Sequence, residues 1–186
     1  MDVNQINKPE LDLSGLIGKL KNEDTRNQRM TNTFQWIMFI MAPLYFIIFI
    51  VNSFTSQPWH ENVGFLFFSV AFLLFAFIFR KYYLEYSQID YGLPMVEMLE
   101  KAVKRYEFWQ RKTGLVIGPV ILVDFGVSFS TIGHFLEVEP LTRILIIQAV
   151  YLPTMFTAIM VGYFIWRHRQ KPIRDKAREL LKEIRA

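Results

Sequence analysis

Residues 34–54 read FQWIMFIMAPLYFIIFIVNSF, twenty-one positions with no charge. A helix needs about 20 apolar residues to cross roughly 30 Å of hydrocarbon, so this stretch predicts a transmembrane span. Two more stretches read the same way. Residues 63–79, VGFLFFSVAFLLFAFIF, and residues 144–166, ILIIQAVYLPTMFTAIMVGYFIW, are also free of charge. An ordinary soluble domain or a disordered chain does not carry such runs.

Residues 114–132 form a fourth candidate, interrupted by Asp124 and containing Gly118, Pro119 and Gly126. An Asp at a helix centre costs about 2.5–3.5 kcal/mol on the insertion scale, and Ile, Leu, Val and Phe return about 0.3–0.6 kcal/mol each. The 11 such residues of this segment outweigh the Asp by a thin margin. This span is expected to lean on its neighbours.

The distribution of positive charge supports four crossings independently. All but one of the 21 Lys and Arg residues precede the first span, lie between the second and third, or follow the fourth. Arg143 alone falls in an opposite loop. Positive residues stay in the cytoplasm, so both termini are expected there. A three-span chain would put the eight basic residues of the tail outside. Trp36, Trp59, Trp109 and Trp166 fall at or near span ends, where an amphipathic ring prefers to sit. The net charge of +4 is thus a mark of topology, and no nucleic-acid partner is expected. The first 29 residues are polar and charged, so the first span is expected to serve as an uncleaved targeting signal.

The expected architecture is all-α. It is a polytopic membrane protein with four transmembrane helices as two hairpins, near 34–54, 63–80, 114–132 and 144–166, plus amphipathic juxtamembrane helices. Three polar segments lie outside the spans. In residues 1–33, Leu13, Leu16, Ile17 and Leu20 recur at helical spacing behind a cap at Asp12 or Ser14, which predicts a short amphipathic helix. In the connector 94–112, opened by Pro94, the residues Met95, Leu99, Ala102, Tyr106 and Trp109 form one stripe, with Glu97–Lys101 and Glu100–Lys104 on its wet face. In the basic tail 167–186, Pro172 opens a helix with Ile173, Ala177, Leu180, Leu181 and Ile184 on one side. The N-terminal helix reads as lying on lipid, with docking to a partner as the sharper alternative. The connector reads as resting on the headgroups or on the bundle, with a helix-in-groove contact to a partner or second copy as the alternative. The tail reads as lipid contact. The partner-facing candidates are Leu13, Leu16, Ile17, Leu20, Met95, Leu99, Tyr106 and Trp109. The order span, span, helix occurs twice, a weak echo of duplication without sequence identity.

Asp124 is the most informative single residue, since an intramembrane carboxylate should face protein or water. Gln148 is its expected partner by depth, with Ser128, Gln35 and Asn52 as alternatives. Pro43, Pro119 and Pro153 read as kinks. His60 and His134, near Glu61, Glu137 and Glu139 in the predicted external loops, lack metal-ligand spacing.

No catalytic motif appears: no G-x-S-x-G, no H-E-x-x-H, no phosphate-binding glycine loop. Glu85, Asp90 and Tyr91 border the membrane with nothing to mark them as catalytic. The chain has no Cys, which excludes thiol chemistry and disulfides. No cofactor, metal or enzymatic activity is expected. The reading is a membrane-anchored regulator, assembly factor or accessory subunit, for example one tethering a soluble factor, in a bacterial inner membrane. The rival is a small oligomeric transporter or channel with Asp124 in its path.

Overall fold

The computed structural model describes residues 7–55, 58–108, 111–131 and 138–185. The order is α1 (Asn7–Ser53), α2 (Trp59–Ser87), α3 (Met95–Arg105), a 3-10 turn (Arg111–Val116) leading into α4 (Ile117–Thr131), α5 (Pro140–Ile165), a π turn (Trp166–Gln170) and α6 (Lys171–Arg185). No strand occurs among the described residues. Four helical stretches are long and apolar enough to cross a membrane: Leu13–Ser53, Trp59–Ser87, Gly114–Thr131 and Leu141–Arg185.

Two boundaries differ from the sequence expectation. The short helix expected near Leu13–Leu20 is not separate: α1 runs uninterrupted from Asn7 to Ser53, so neither Asp12 nor Ser14 starts it. Residues 21–33 carry no Pro and no Gly, so nothing in them stops the helix. Gly15 and Gly18 each cost about 1 kcal/mol relative to Ala, and neighbouring side chains on the same turns are buried. Likewise Pro172 does not open a fresh helix. A π turn joins α5 to α6 directly, its Lys171 N–H bonding Trp166 O. Pro172 has no N–H to give and its ring crowds the preceding turn, so the wider turn stands where that crowding is relieved.

The chain divides into two compact units. One draws on the described residues of 1–30, 83–109 and 160–186, the other on those of 31–82 and 110–159. The second unit holds the most apolar helix segments. Its packing is small against small and ring against ring. Tyr45 of α1 meets Phe65, Phe68 and Phe72 of α2, at 5.2 Å for Phe72. Ser69 Oγ donates to Ala42 O at 2.9 Å, and Ala42, Ala71 and Ala76 are buried. Small residues let helix backbones approach where lipid removes the hydrophobic drive to associate. The closest approach joins α2 and α4. A Cβ on Gly64 would sit 2.8 Å from Ser130 N, and one on Gly126 would sit 2.9 Å from the Phe68 ring. Phe67 adds ring contacts to Phe125 and Phe129.

The first unit, called the terminal unit below, has its own core. Leu16 and Leu20 of α1, Met98, Leu99 and Ala102 of α3, Tyr106 just beyond it, and Ala177 and Leu180 of α6 are buried together. The turn before α3 is fixed by Asp90, whose Oδ1 accepts from Gly92 N at 2.7 Å. Pro94 precedes the first residue of α3. α3 and α6 run antiparallel, since Glu100 pairs with Arg185 while Glu107 pairs with Arg178. Arg178 and Arg185 are two turns apart on α6, and Glu107 lies just beyond the end of α3.

Candidate functional site

The buried face of α1 begins apolar and turns polar. Leu16 and Leu20 are followed at helical spacing by Glu23, Asp24, Asn27, Thr31 and Gln35, all buried. A buried carboxylate is costly unless it is paired and hydrogen-bonded. Asp24, 2% exposed, meets that condition fully. Its Oδ1 accepts from Tyr106 OH at 2.6 Å. Its Oδ2 accepts from Tyr91 OH at 2.8 Å and from Arg105 NH1 at 2.7 Å. Three donors from the turn before α3, from its last residue and from the residue after it thus converge on one side chain of α1.

The tyrosine hydroxyls are held strongly in the protonated form. Burial pushes the Tyr106 phenol far above its ordinary value, and the Asp24 charge and hydrogen bond push it further. Tyr91 moves the same way, first through burial, then through its bond to Asp24. Arg105 opposes both shifts without cancelling them. All three groups act as donors, so Asp24 acts only as acceptor.

Tyr106 carries the cluster onward. Its ring is 1% exposed, and its carbonyl accepts from Trp166 Nε1 at 2.9 Å. Trp166 packs at a tilt against the rings of Phe108, at 4.9 Å, and Tyr163, at 5.9 Å. The Arg174 guanidinium lies 5.2 Å from the centre of a Trp166 ring. Arg169, in the same π turn as Trp166, reaches Glu23 of α1 at 3.5 Å, and Arg26 approaches Glu23 at 3.6 Å. Glu23 Oε1 is buried with no hydrogen-bond partner among the described residues. The network therefore ties α1, the end of α3 and the π turn together.

In the other unit, Asp124 and Gln148 meet: Gln148 Nε2 donates to Asp124 Oδ1 at 2.7 Å. One turn further along α5, Tyr151 OH donates to Val120 O at 2.7 Å. Two polar bonds thus join α4 to α5 where a lone carboxylate would face lipid. The other weighed partners lie elsewhere: Ser128 on α4 itself, Gln35 and Asn52 on α1.

The residues read as partner-facing are mostly spent inside the chain. Leu16, Leu20, Leu99 and Tyr106 are core, with Leu13 and Ile17 packed against them. Met95 is 43% exposed, and Met98 takes the buried place instead, because the core lies one turn further along α3. Trp109 lies outside the described residues, as do His134 and Glu137. The three polar segments, each taken singly as resting on lipid or a partner, cover one another. Among the tail's basic residues, Arg174, Arg178 and Arg185 are engaged by Asp175, Glu107 and Glu100. Among the described residues no three His, Cys, Asp or Glu side chains group as a metal site.

Asp24 and Arg105 were not singled out in the sequence, and Tyr91 was noted only as bordering the membrane. The signal was present in the spacing. The stripe Leu13, Leu16, Leu20 continues by steps of four, three, four and four through Asp24, Asn27, Thr31 and Gln35. Polar residues on a face that is apolar one turn earlier ask for internal partners. No family model, no curated protein and no solved structure matches this chain.

Proposed function

We propose that the chain is a membrane-anchored regulator or accessory subunit of a bacterial inner membrane. In this reading both termini lie in the cytoplasm, and the terminal unit is a folded docking body held at the membrane surface. The positive-inside bias supports the orientation. The observation that carries the role is the convergence of three segments far apart in sequence on one core, closed by the Asp24 cluster. A chain that only crossed the membrane would have no use for such a body. Its partner would read the charged outer surface, since the apolar faces are consumed internally.

The absence of Cys makes the orientation directly testable. Single cysteines at Lys21, Lys101 and Glu183 should react with a membrane-impermeant maleimide only after the cells are opened, and one at Glu61 should react in intact cells. The role is tested by brief crosslinking and gentle detergent purification from the native host. A stoichiometric partner that is lost from the Asp24→Ala variant, at equal membrane abundance, supports the reading. Retention of the same partner after the terminal unit is disrupted, or a homo-oligomer alone, refutes it.

A further inference from the structure

We infer that α6 is a releasable strap, and that an anionic bilayer surface competes with Glu100 and Glu107 for its arginines. Three observations converge. First, α6 buries Ala177 and Leu180 in the terminal core, with Ile173 and Leu181 partly buried against it. Second, its far half is held to α3 and the residues just beyond it by two ion pairs open to solvent. The side chains of Arg178 and Glu107 are 46% and 48% exposed, and those of Arg185 and Glu100 are 59% and 46% exposed. Exposed pairs of this kind hold weakly. Third, α6 follows the last apolar helix through the π turn Trp166–Gln170. π turns inside helices occur frequently at functional sites. The strap is therefore anchored at its near end through Trp166 and adjoins the last apolar helix, while its far end rests on its own contacts.

The same arginines that reach Glu100 and Glu107 suit anionic headgroups, and α6 has more basic than acidic residues. A basic segment gains near an anionic leaflet with each Lys or Arg that reaches it. Undocking exchanges two screened pairs for several headgroup contacts, and it turns the apolar side of α6 toward the acyl boundary. It also uncovers Leu16, Leu20 and Leu99, which gives the docking body two states. The inference deepens the role proposed above. It needs only that α6 adjoin a bilayer, which either leaflet of a nanodisc supplies, so its failure and that of the cytoplasmic orientation are separable.

The test is a spin-label distance between Gly15→Cys and Glu183→Cys in the full chain. It is measured in phosphatidylcholine nanodiscs and in nanodiscs with a large phosphatidylglycerol fraction. The ratio of short to long distances should fall roughly tenfold in the anionic discs. Glu100→Lys with Glu107→Lys should release α6 even in neutral discs. Adding Arg178→Glu and Arg185→Glu to that pair should restore docking and abolish the lipid response. Inorganic phosphate with neutral discs should leave α6 docked. An unchanged distance in anionic discs overturns the inference. So does equal release by phosphate, or a charge-swapped chain that still responds to lipid.

Discussion

Replacing Asp24 with Asn tests the centre of the terminal unit without changing its shape. The carboxylate accepts three hydrogen bonds, at 2.6, 2.7 and 2.8 Å. A bond to a charged group contributes about 1.5–3 kcal/mol and a neutral one about 0.5–1.5 kcal/mol. The two tyrosine bonds fall from the first class to the second and the Arg105 pair loses its counter-charge, about 3 kcal/mol together. The Tyr106 hydroxyl can turn to accept from the new amide, but Arg105 cannot accept, and its side chain is 13% exposed. Asp24→Asn should therefore weaken the closed unit by about 3 kcal/mol, and Asp24→Ala by about 3–5 kcal/mol, the cost of stranding one partner of a buried pair. Ala177 is fully buried, so a single Ala177→Cys in this cysteine-free chain reports opening through its reaction with a maleimide. A loss of 3 kcal/mol corresponds to labelling about a hundredfold faster when opening precedes reaction. Labelling within threefold of the parent would refute the reasoning and leave Asp24 a replaceable surface charge.

Three further outcomes follow from the same geometry. Tyr91 and Tyr106 titrate near 10.0, the ordinary phenol value, when unfolded and well above it when folded. Below pH 10 both states are protonated and the contribution is intact. Above it only the unfolded chain loses protons, so stability should fall by up to about 2.7 kcal/mol per pH unit. Ala177→Cys labelling should show that slope, and Tyr91→Phe with Tyr106→Phe should flatten it. Gly64→Ala places a Cβ 2.8 Å from Ser130 N and 2.9 Å from Gly126 O, both backbone atoms that cannot rotate away. It should cost about 1–3 kcal/mol in thermal aggregation assays in detergent, and a melting point equal to the parent's contradicts that crossing. Asp124→Asn keeps an oxygen for Gln148 Nε2 and should change stability by less than about 1 kcal/mol, the scale of interhelical hydrogen bonds in bilayers. Asp124→Leu strands Gln148 and should cost more, while equal effects would mean that the 2.7 Å bond does not bear on the packing.

The apolar helices were legible because hydrocarbon imposes one simple rule, a long run without charge. The Asp124–Gln148 bond was anticipated because few polar residues sit at that depth, which leaves few ways to pair them. The terminal unit was harder. Each amphipathic segment read alone satisfies two descriptions equally: lying on lipid, or lying on another helix. Periodicity reports that a face is buried and is silent about what buries it. The choice here is made between residues as distant as Leu20, Leu99 and Leu180, and no local window contains that information. The Asp24 cluster was hidden for a related reason. Its four members come from α1, the turn before α3 and the end of α3, and each alone is an unremarkable polar residue at a membrane border. Met95 shows the same limit on a smaller scale, since the stripe it shares with Leu99 does not say where the core stops.

A polar cluster within an apolar core solves a problem that the apolar residues create. Leu16, Leu20, Leu99, Ala102, Ala177 and Leu180 are all apolar, and their burial rewards any register that keeps them from water. Non-directional burial does not choose among such registers. A carboxylate that must meet two hydroxyls and a guanidinium does choose, because any slip leaves a buried charge unpaired. The Asp24 cluster thus fixes which turn of α1 faces the end of α3. Through the Tyr106 carbonyl and Trp166 it also fixes where the π turn stands. α6 begins from that fixed point. Its near end, where Arg174 lies over Trp166, is set by the same network, while its far end rests on exposed ion pairs. Rigidity therefore decreases along α6 away from Asp24. A body built in this way keeps its register and yields first at the tail.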